Sequence, residues 1–122
     1  MDEADGKIAV LGAFFELAWA DGSITPEEAD YLSALAAEMD ISLGRRIPLL
    51  VKGLTEPPTT RITNLGELLT DEEERYLVAE RLVALCFLTP QLSFKQTQTL
   101  AGLALQLSIE AEELEEMRLR VC

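Results

Sequence analysis

The chain has no histidine among its 122 residues. Histidine is the commonest general base in enzymes and a usual ligand of zinc and copper, so its absence excludes most catalytic triads and most sites for those metals. Cysteine is scarce as well: Cys86 lies in an apolar stretch, and Cys122 stands at the last position of the sequence. We expect Cys86 to be a small core residue, and the two cysteines predict neither a metal pair nor a disulfide framework.

Basic residues are few, because ten Lys and Arg stand against 22 Asp and Glu and the net charge is −12. Binding to phosphates needs clustered bases, so this balance excludes nucleic acid as the expected partner and disfavours an anionic membrane surface. It favours a cation or a basic partner protein, although such charge also serves solubility alone. The one candidate basic cluster is Arg45, Arg46 and Lys52, with Arg61 near it.

Long apolar runs are missing too. No stretch reaches the ~18 residues that a membrane-spanning helix needs, and the richest run, from Ile8 to Ala20, contains Glu16. The first residues are acidic, whereas a signal peptide begins with positive charge. With 122 residues and 48% hydrophobic content, we expect a single cytoplasmic domain that spans residues 1–122.

Apolar residues recur at helical spacing along the chain, without convincing strand alternation. The first predicted helix runs from about Ala4 to Ala20 and carries two apolar stripes, so it should be central. The segment Asp21 to Ile24 breaks this helix, and Gly22 suits the left-handed conformation that ends one. The next helix opens with a capping box from Thr25 to Glu28, in which Pro26 takes the first helical position.

The rest of the chain also predicts helices. A third segment contains Pro48, which indicates a kink or a helix that begins near Pro48, and a short helix is expected within residues 62–69. Four further residues are predicted helix starts: Ser42, Thr70 in a box with Glu73, Ser93 in a box with Gln96, and Ser108. The sequence therefore predicts an all-α, single-domain bundle of about seven helices.

The two halves of the chain align without gaps when one is shifted by 68 residues. Leu32 then falls on Leu100, and the predicted cap Thr25 falls on Ser93. We predict two helix-loop-helix units, residues 8–42 and 76–110, related by a pseudo-two-fold repeat. They should pack together, because paired amphipathic helices cannot bury their apolar faces alone.

Acidity separates the two predicted units, since the acidic residues of the first have no acidic counterpart in the second. Any function of the negative charge is therefore expected in the first unit, where Asp30, Glu38 and Asp40 are the candidate partner surface. The acidic positions of the first unit are Glu16, Asp21, Glu27, Glu28, Asp30, Glu38 and Asp40.

The acidic loop from Ala20 to Glu28 supports three interpretations. In the first, a helix end, a turn and a capping box account for most of its residues. In the second, carboxylates and a backbone carbonyl bind Ca²⁺ or Mg²⁺ through oxygen. In the third, the loop attracts a basic protein. The candidate metal ligands are Asp21, Glu28, Glu27 and Glu16.

A true EF-hand loop is excluded for this segment. Asp21, Gly22 and Glu28 would match its fifth, sixth and twelfth positions, but its first and third positions would be Leu17 and Trp19, which offer no oxygen ligand. Glu28 is also the partner of Thr25 in the capping box, which competes with metal binding.

The residues from Ala18 to Glu28 (Ala-Trp-Ala-Asp-Gly-Ser-Ile-Thr-Pro-Glu-Glu), with Leu32, Leu35-Ala36 and Ile41-Ser42 after them, resemble the signature of the TerB-like family of tellurite-resistance proteins and related helical domains. The resemblance implies a bundle of about seven helices with internal two-fold similarity. It also implies an acidic surface for divalent cations and an interaction role in a bacterial stress-response system. Asp21 and Glu28 carry over by position, and Glu27 less directly. The second unit has no Asp-Gly, which leaves one such site at most.

The expected function is therefore a non-enzymatic, acidic interaction module with an unidentified protein partner and with Ca²⁺ or Mg²⁺ at the Asp21–Glu28 loop. One alternative is a structural or oligomerising domain without an ion site. A weaker alternative is a carboxylate-dependent hydrolase that uses Glu16, Asp21 and Glu28. That chemistry would need one carboxylate in an apolar pocket with a raised pKa.

Overall fold

The helical periodicity corresponds to seven helices in the structure, a computed structural model that describes residues 3–39, 41–58, 62–88 and 94–121. No strand occurs in this part of the chain, which confirms the predicted all-α bundle. Predictions that involve Asp40, Arg61, Ser93 and Cys122 lie outside the described residues. The helices are α1 (Glu3–Ala18), α2 (Pro26–Glu38), α3 (Leu43–Thr55), α4 (Leu65–Leu68), α5 (Glu72–Cys86), α6 (Phe94–Gln106) and α7 (Ala111–Val121).

Helix α1 is the centre of the bundle and contacts α2, α3, α4, α5 and α6. Both of its predicted stripes are covered: Leu11, Phe14 and Leu17 are almost completely buried, and Phe15 is buried beside them. A helix with apolar residues around most of its circumference must be covered on most sides, which explains why five other helices surround this one. No helix among those described is both apolar enough and long enough to cross a membrane.

The end of α1 and the start of α2 follow the predicted chemistry. Gly22 has φ of 96°, the left-handed conformation that a Cβ would disfavour, and its N–H donates to the Trp19 carbonyl at 2.9 Å. The Thr25 N–H donates to Glu28 Oε1 at 3.0 Å, and the Glu28 N–H donates to Thr25 Oγ1 at 3.2 Å. The predicted capping box of α2 is confirmed.

Two other predicted caps are wrong. Helix α5 begins one residue later than the Thr70 box requires, because the Asp71 carboxylate accepts from the Glu73 N–H at 2.9 Å and is itself the N-cap. Ser108 ends α6 instead of opening α7. It has φ of 60°, and the following N–H, that of Ile109, donates back to the Ala104 carbonyl at 2.9 Å, as in a Schellman motif.

Helix α3 excludes one of the two possibilities predicted for Pro48, and the kink stays a prediction. It runs without a break from Leu43 to Thr55, with Pro48 inside it, so the helix does not begin near Pro48. Ser42 occupies the N-cap position, but its side chain makes no capping hydrogen bond. None of the residues of α3, all of which the structure describes, is buried. Helix α3 is therefore held to the bundle by partial contacts with α1 and α2.

Long side chains attach α3, and the segment between α3 and α5, to the bundle. The Trp19 indole N–H donates to the Gly53 carbonyl at 2.7 Å. The Gln106 side chain accepts from the Leu65 N–H at 3.0 Å and donates to the Ile62 carbonyl at 2.9 Å. Arg75 donates to the carbonyls at both ends of α4, those of Gly66 and Leu69. Backbone groups of α3, of α4 and of the residues beside α4 thus find side-chain partners on Trp19, which follows α1, and on α5 and α6.

The helix bounds keep the 68-residue spacing of the alignment. Helix α2 covers residues 26–38 and α6 covers residues 94–106, while α3 and α7 begin at residues 43 and 111. The pattern of helices along the chain therefore has the predicted period, and the two-fold relation of the units in space stays a prediction.

Candidate functional site

Glu28 is the one acidic residue of the predicted loop that is buried, with 2% of its surface exposed. Its Oε1 accepts the Thr25 N–H of the capping box, and its Oε2 accepts from the Gln96 side-chain amide of α6 at 3.4 Å. Glu28 and Gln96 occupy equivalent positions in the 68-residue alignment, so the two predicted units meet at this contact. The carboxylate therefore joins α2 to α6 inside the bundle.

Cys86 lies near this carboxylate and is buried, as predicted. Burial, with a smaller contribution from the negative charge of Glu28, raises the pKa of the Cys86 thiol from its ordinary 9.0 to about 12. The thiol is therefore protonated at neutral pH, and a protonated thiol is neither a nucleophile nor a metal ligand. The structure confirms the structural role that the sequence predicts for Cys86.

The other candidate metal ligands have separate contacts. Asp21 is exposed, and its Oδ1 accepts from the Ser23 N–H at 3.3 Å across the turn. Glu16 is half-buried on α1, and its Oε2 accepts from the Ile62 N–H at 3.3 Å. Glu27 is exposed in the first turn of α2, next to Glu28 in sequence. The described contacts thus give Asp21 and Glu16 one structural hydrogen bond each and Glu28 two.

These contacts bear on the chemistry that the loop can perform. Within the described part of the chain, no three His, Cys, Asp or Glu side chains are grouped so that they could hold a metal ion. The cation site at Asp21, Glu28, Glu27 and Glu16 stays a prediction. The hydrolase alternative also stays a prediction, but the burial of Glu28 leaves a substrate little access to its carboxylate.

The candidate partner surface is only partly described. Asp30 is exposed on α2. Glu38 is exposed near the end of α2 and pairs with Arg81 of α5 at 2.7 Å, and the Tyr31 hydroxyl donates to the Arg81 carbonyl at 3.1 Å. Exposed ion pairs of this kind contribute roughly 0–1 kcal/mol to stability. Asp40 lies outside the described residues, so these three acids are not shown to form one surface.

Sequence reasoning missed the surface of α3. Leu43, Ile47 and Val51 follow one another at intervals of one turn, and their exposed fractions are 59%, 53% and 60%. In the sequence, Leu43 and Ile47 keep helical spacing with Leu50 and Leu54, a pattern that does not show whether the face is covered. A signal was present: Leu49, Leu50 and Leu54 already supply an inner face, so α3 has more apolar positions than one contact can cover.

Two of the three bases of α3 lie on the exposed half of the helix. Residues 43–55 contain three of the ten bases of the chain and none of its 22 acids. Arg45 and Lys52 are exposed and two turns apart, so they share one line along the helix, and Arg46 is half-buried. The outer face of α3 is therefore apolar along one border and basic along the other.

A groove of about 1000 Å³ separates α3 from the first half of α1. Its floor is apolar and includes Ile8, Leu11 and Phe15 of α1, while Lys52 of α3 lies at its edge. Pro57, Pro58 and Ile62 also line the groove. The residues of α3 thus border two accessible apolar surfaces, the groove on one side and the exposed stripe on the other.

No family model, curated protein or solved structure matches the chain. The resemblance to the TerB-like family therefore rests on the residues from Ala18 to Ser42 and stays a hypothesis. The chemistry of the exposed and buried groups supports the functional proposal below.

Proposed function

We propose that this chain is a non-catalytic interaction module whose α3 binds an acidic amphipathic helix of a partner protein. The observation that carries the proposal is that α3 exposes an apolar stripe, formed by Leu43, Ile47 and Val51, although it buries no residue of its own. The TerB-like resemblance adds an interaction role of the same general kind, as a hypothesis.

The apolar stripe supplies affinity. Each of its three aliphatic side chains is a little more than half exposed, so covering them would contribute roughly 1 kcal/mol each. Residues at intervals of four lie on one line of a helix, and a partner helix can place its own apolar residues along that line. Such a contact is small, and we expect a weak, reversible complex.

The bases determine which partner fits. Arg45 and Lys52 border the outer face, in a helix without any acid. A partner helix that covers the stripe and carries Glu or Asp along one edge would bring those acids near the two bases. Because the remainder of the chain is strongly acidic, a basic partner would be drawn elsewhere on the molecule. Charge complementarity therefore favours an acidic helix on α3.

The proposal is tested by fluorescence anisotropy with two designed helical peptides. Both have leucines at intervals of three and four, and the flanking positions are Glu in one and Lys in the other. We expect saturable binding of the Glu peptide, weakened by Ile47→Asp and by added salt. Leu77→Asp on α5 is the matched control, since Leu77 is 58% exposed and does not belong to α3.

Equal binding of the Glu peptide to wild type and Ile47→Asp, or no saturation at millimolar peptide, would overturn the proposal. Vesicles with 30% phosphatidylserine provide the competing test, because basic amphipathic helices also bind anionic membranes. Ile47-dependent binding to those vesicles without binding to the peptide would replace the protein partner by a lipid surface.

A further inference from the structure

The outer face of α6 exposes the two most accessible large apolar side chains of the described residues. Phe94 and Leu105 are 75% and 77% exposed. Gln98 and Ala101 lie between them at intervals of four, three and four residues, which places all four on one line of the helix. The opposite face of α6 is buried in the bundle through Leu100 and the residues around it, so this line faces solvent.

This face is also nearly uncharged, in a chain with net charge −12. Between Arg81 and Glu110 the sequence contains one charged residue, Lys95, and the exposed residues of α6 are otherwise apolar, Gly, Thr or Gln. Solvated surfaces normally carry charge, whereas the cores of protein interfaces are depleted of it. The charge distribution therefore marks the outer face of α6 as a contact surface.

We propose that this face pairs with the same face of a second copy of the chain, with the two α6 helices antiparallel about a two-fold axis. Two copies with a net charge of −12 each repel one another. In a two-fold contact each surface meets itself, so a surface with charge of one sign would repel its copy. The outer face of α6 is apolar and has almost no charge, so it can meet itself without this penalty.

The antiparallel arrangement follows from where the large side chains lie. Phe94 and Leu105 are at opposite ends of the exposed line, so an antiparallel pair sets Phe94 of each copy against Leu105 of the other. Ala101 lies near the middle and Gly102 has open space around its Cα, so the two backbones can approach closely there. One helix pair buries less than the ~1,600 Å² of a standard interface, so we expect a weak dimer, with a Kd on the order of 10–100 µM.

Light scattering on the full chain, at concentrations across that range, tests the proposal. We expect the mass to rise from the 13.5 kDa of one chain towards about twice that value. Leu105→Glu and Phe94→Lys should each remain monomeric, because each substitution sets an unpaired charge against an apolar side chain of the other copy at both ends of the contact. Leu77→Glu is the matched control for an exposed leucine outside α6 and should dimerise like wild type.

The antiparallel register has its own test. Leu105→Glu mixed with Phe94→Lys should form a mixed dimer, because one end pairs the new Glu with the new Lys and the other end keeps Phe94 against Leu105. A wild-type chain that stays monomeric at 500 µM, or dimers that persist in both variants, would overturn the proposal. Failure of the mixed pair alone would overturn the antiparallel arrangement. Peptide binding at α3 is measured in the same variants, so loss of one property is distinguishable from loss of the other.

Discussion

Glu28 is a buried carboxylate that accepts hydrogen bonds from the start of α2 and from α6. Its position in the loop indicates a candidate cation ligand, and its position three residues after Thr25 indicates a cap. The structure buries it, with one carboxylate oxygen on the cap and the other on Gln96 of α6. A buried carboxylate with hydrogen bonds to two elements contributes to stability, and its removal leaves donors without an acceptor.

We therefore predict that Glu28→Ala lowers the free energy of unfolding by about 2 kcal/mol, because the mutation removes a cap and a buried acceptor together. Glu28→Gln retains a carbonyl oxygen for the Thr25 N–H and should cost about half as much. Chemical denaturation followed by circular dichroism gives both values. The matched control is Glu27→Ala, a neighbouring exposed residue of the same turn, which we expect to change stability by less than about 0.5 kcal/mol. Equal losses in Glu27→Ala and Glu28→Ala would contradict the structural role.

The sequence predicted half of this arrangement. The hydrogen bonds between Thr25 and Glu28 depend on residues three positions apart, so the local pattern is sufficient to predict them. The hydrogen bond from Gln96 depends on how α6 packs against α2, and no local pattern encodes that distance. The alignment by 68 residues placed Glu28 and Gln96 in equivalent positions, but it did not predict that they touch.

Among the helices, the contact between α1 and α3 depends on a single glycine. A Cβ on Gly53 would overlap the ring of Phe15, which is buried, and the Gly53 carbonyl accepts the Trp19 indole N–H. The close approach of the two helices therefore requires the absence of a side chain at Gly53. Gly44, on the same helix, has open space around its Cα.

These two glycines give a matched pair of predictions within α3. Gly44→Ala should raise the free energy of unfolding by roughly 0.5–1 kcal/mol, because alanine favours the helical conformation. Gly53→Ala should lower it by about 1–3 kcal/mol, because overpacking against Phe15 outweighs the same helical preference. Thermal unfolding of both variants measures the difference. Gly53→Ala should lower the free energy of unfolding by less in a Phe15→Leu background than in the wild-type protein, because the smaller side chain leaves room for the added methyl group. A stabilising Gly53→Ala would show that α3 does not pack on Phe15 in this way.

The number and type of helices were predictable because apolar spacing is a local signal. The ends of the helices were less predictable. The N-cap of α5 is Asp71 and not Thr70, and the sequence could not separate the two because they are adjacent and both suit an N-cap. The exposure of α3 was predictable only in part, because its surplus of apolar positions is visible in the sequence but the choice of which ones stay uncovered is not. Helical spacing shows that Leu43 and Ile47 share a face, but whether another helix covers that face depends on the packing of the whole bundle.

For the molecule as a whole, charge distribution separates the surfaces into three kinds. The outer face of α3 carries bases beside apolar residues, the outer face of α6 is almost uncharged, and the remainder is acidic. The net charge, and the excess of acids in the predicted unit of residues 8–42, were evident from the sequence. The sequence did not show which apolar residues remain exposed to solvent, because that depends on how the helices pack. The proposals for α3 and α6 both depend on those exposed apolar residues.

The acidic surface bears on how cations affect the whole molecule. Like charges repel in a compact state, so added salt should raise the melting temperature by screening. We predict that CaCl₂ and NaCl at matched ionic strength raise it equally, within about 1 °C, because Glu28 is already engaged and buried. Differential scanning calorimetry in both salts, after treatment with a chelator, measures this.

A specific site would behave differently from screening. A site with Kd of about 0.1 mM would add about 2.7 kcal/mol at 10 mM Ca²⁺, which corresponds to a shift of roughly 10 °C for a chain of this size. Asp21→Asn is the informative variant, because its amide oxygen can still accept from the Ser23 N–H while the charge is removed. A calcium-specific shift in wild type that Asp21→Asn abolishes would establish the predicted cation site. Equal shifts of the melting temperature in CaCl₂ and NaCl, for the wild type and for Asp21→Asn, would show that Asp21 acts only as a turn residue. The acidity of the loop would then be explained by helix capping and by long-range electrostatics.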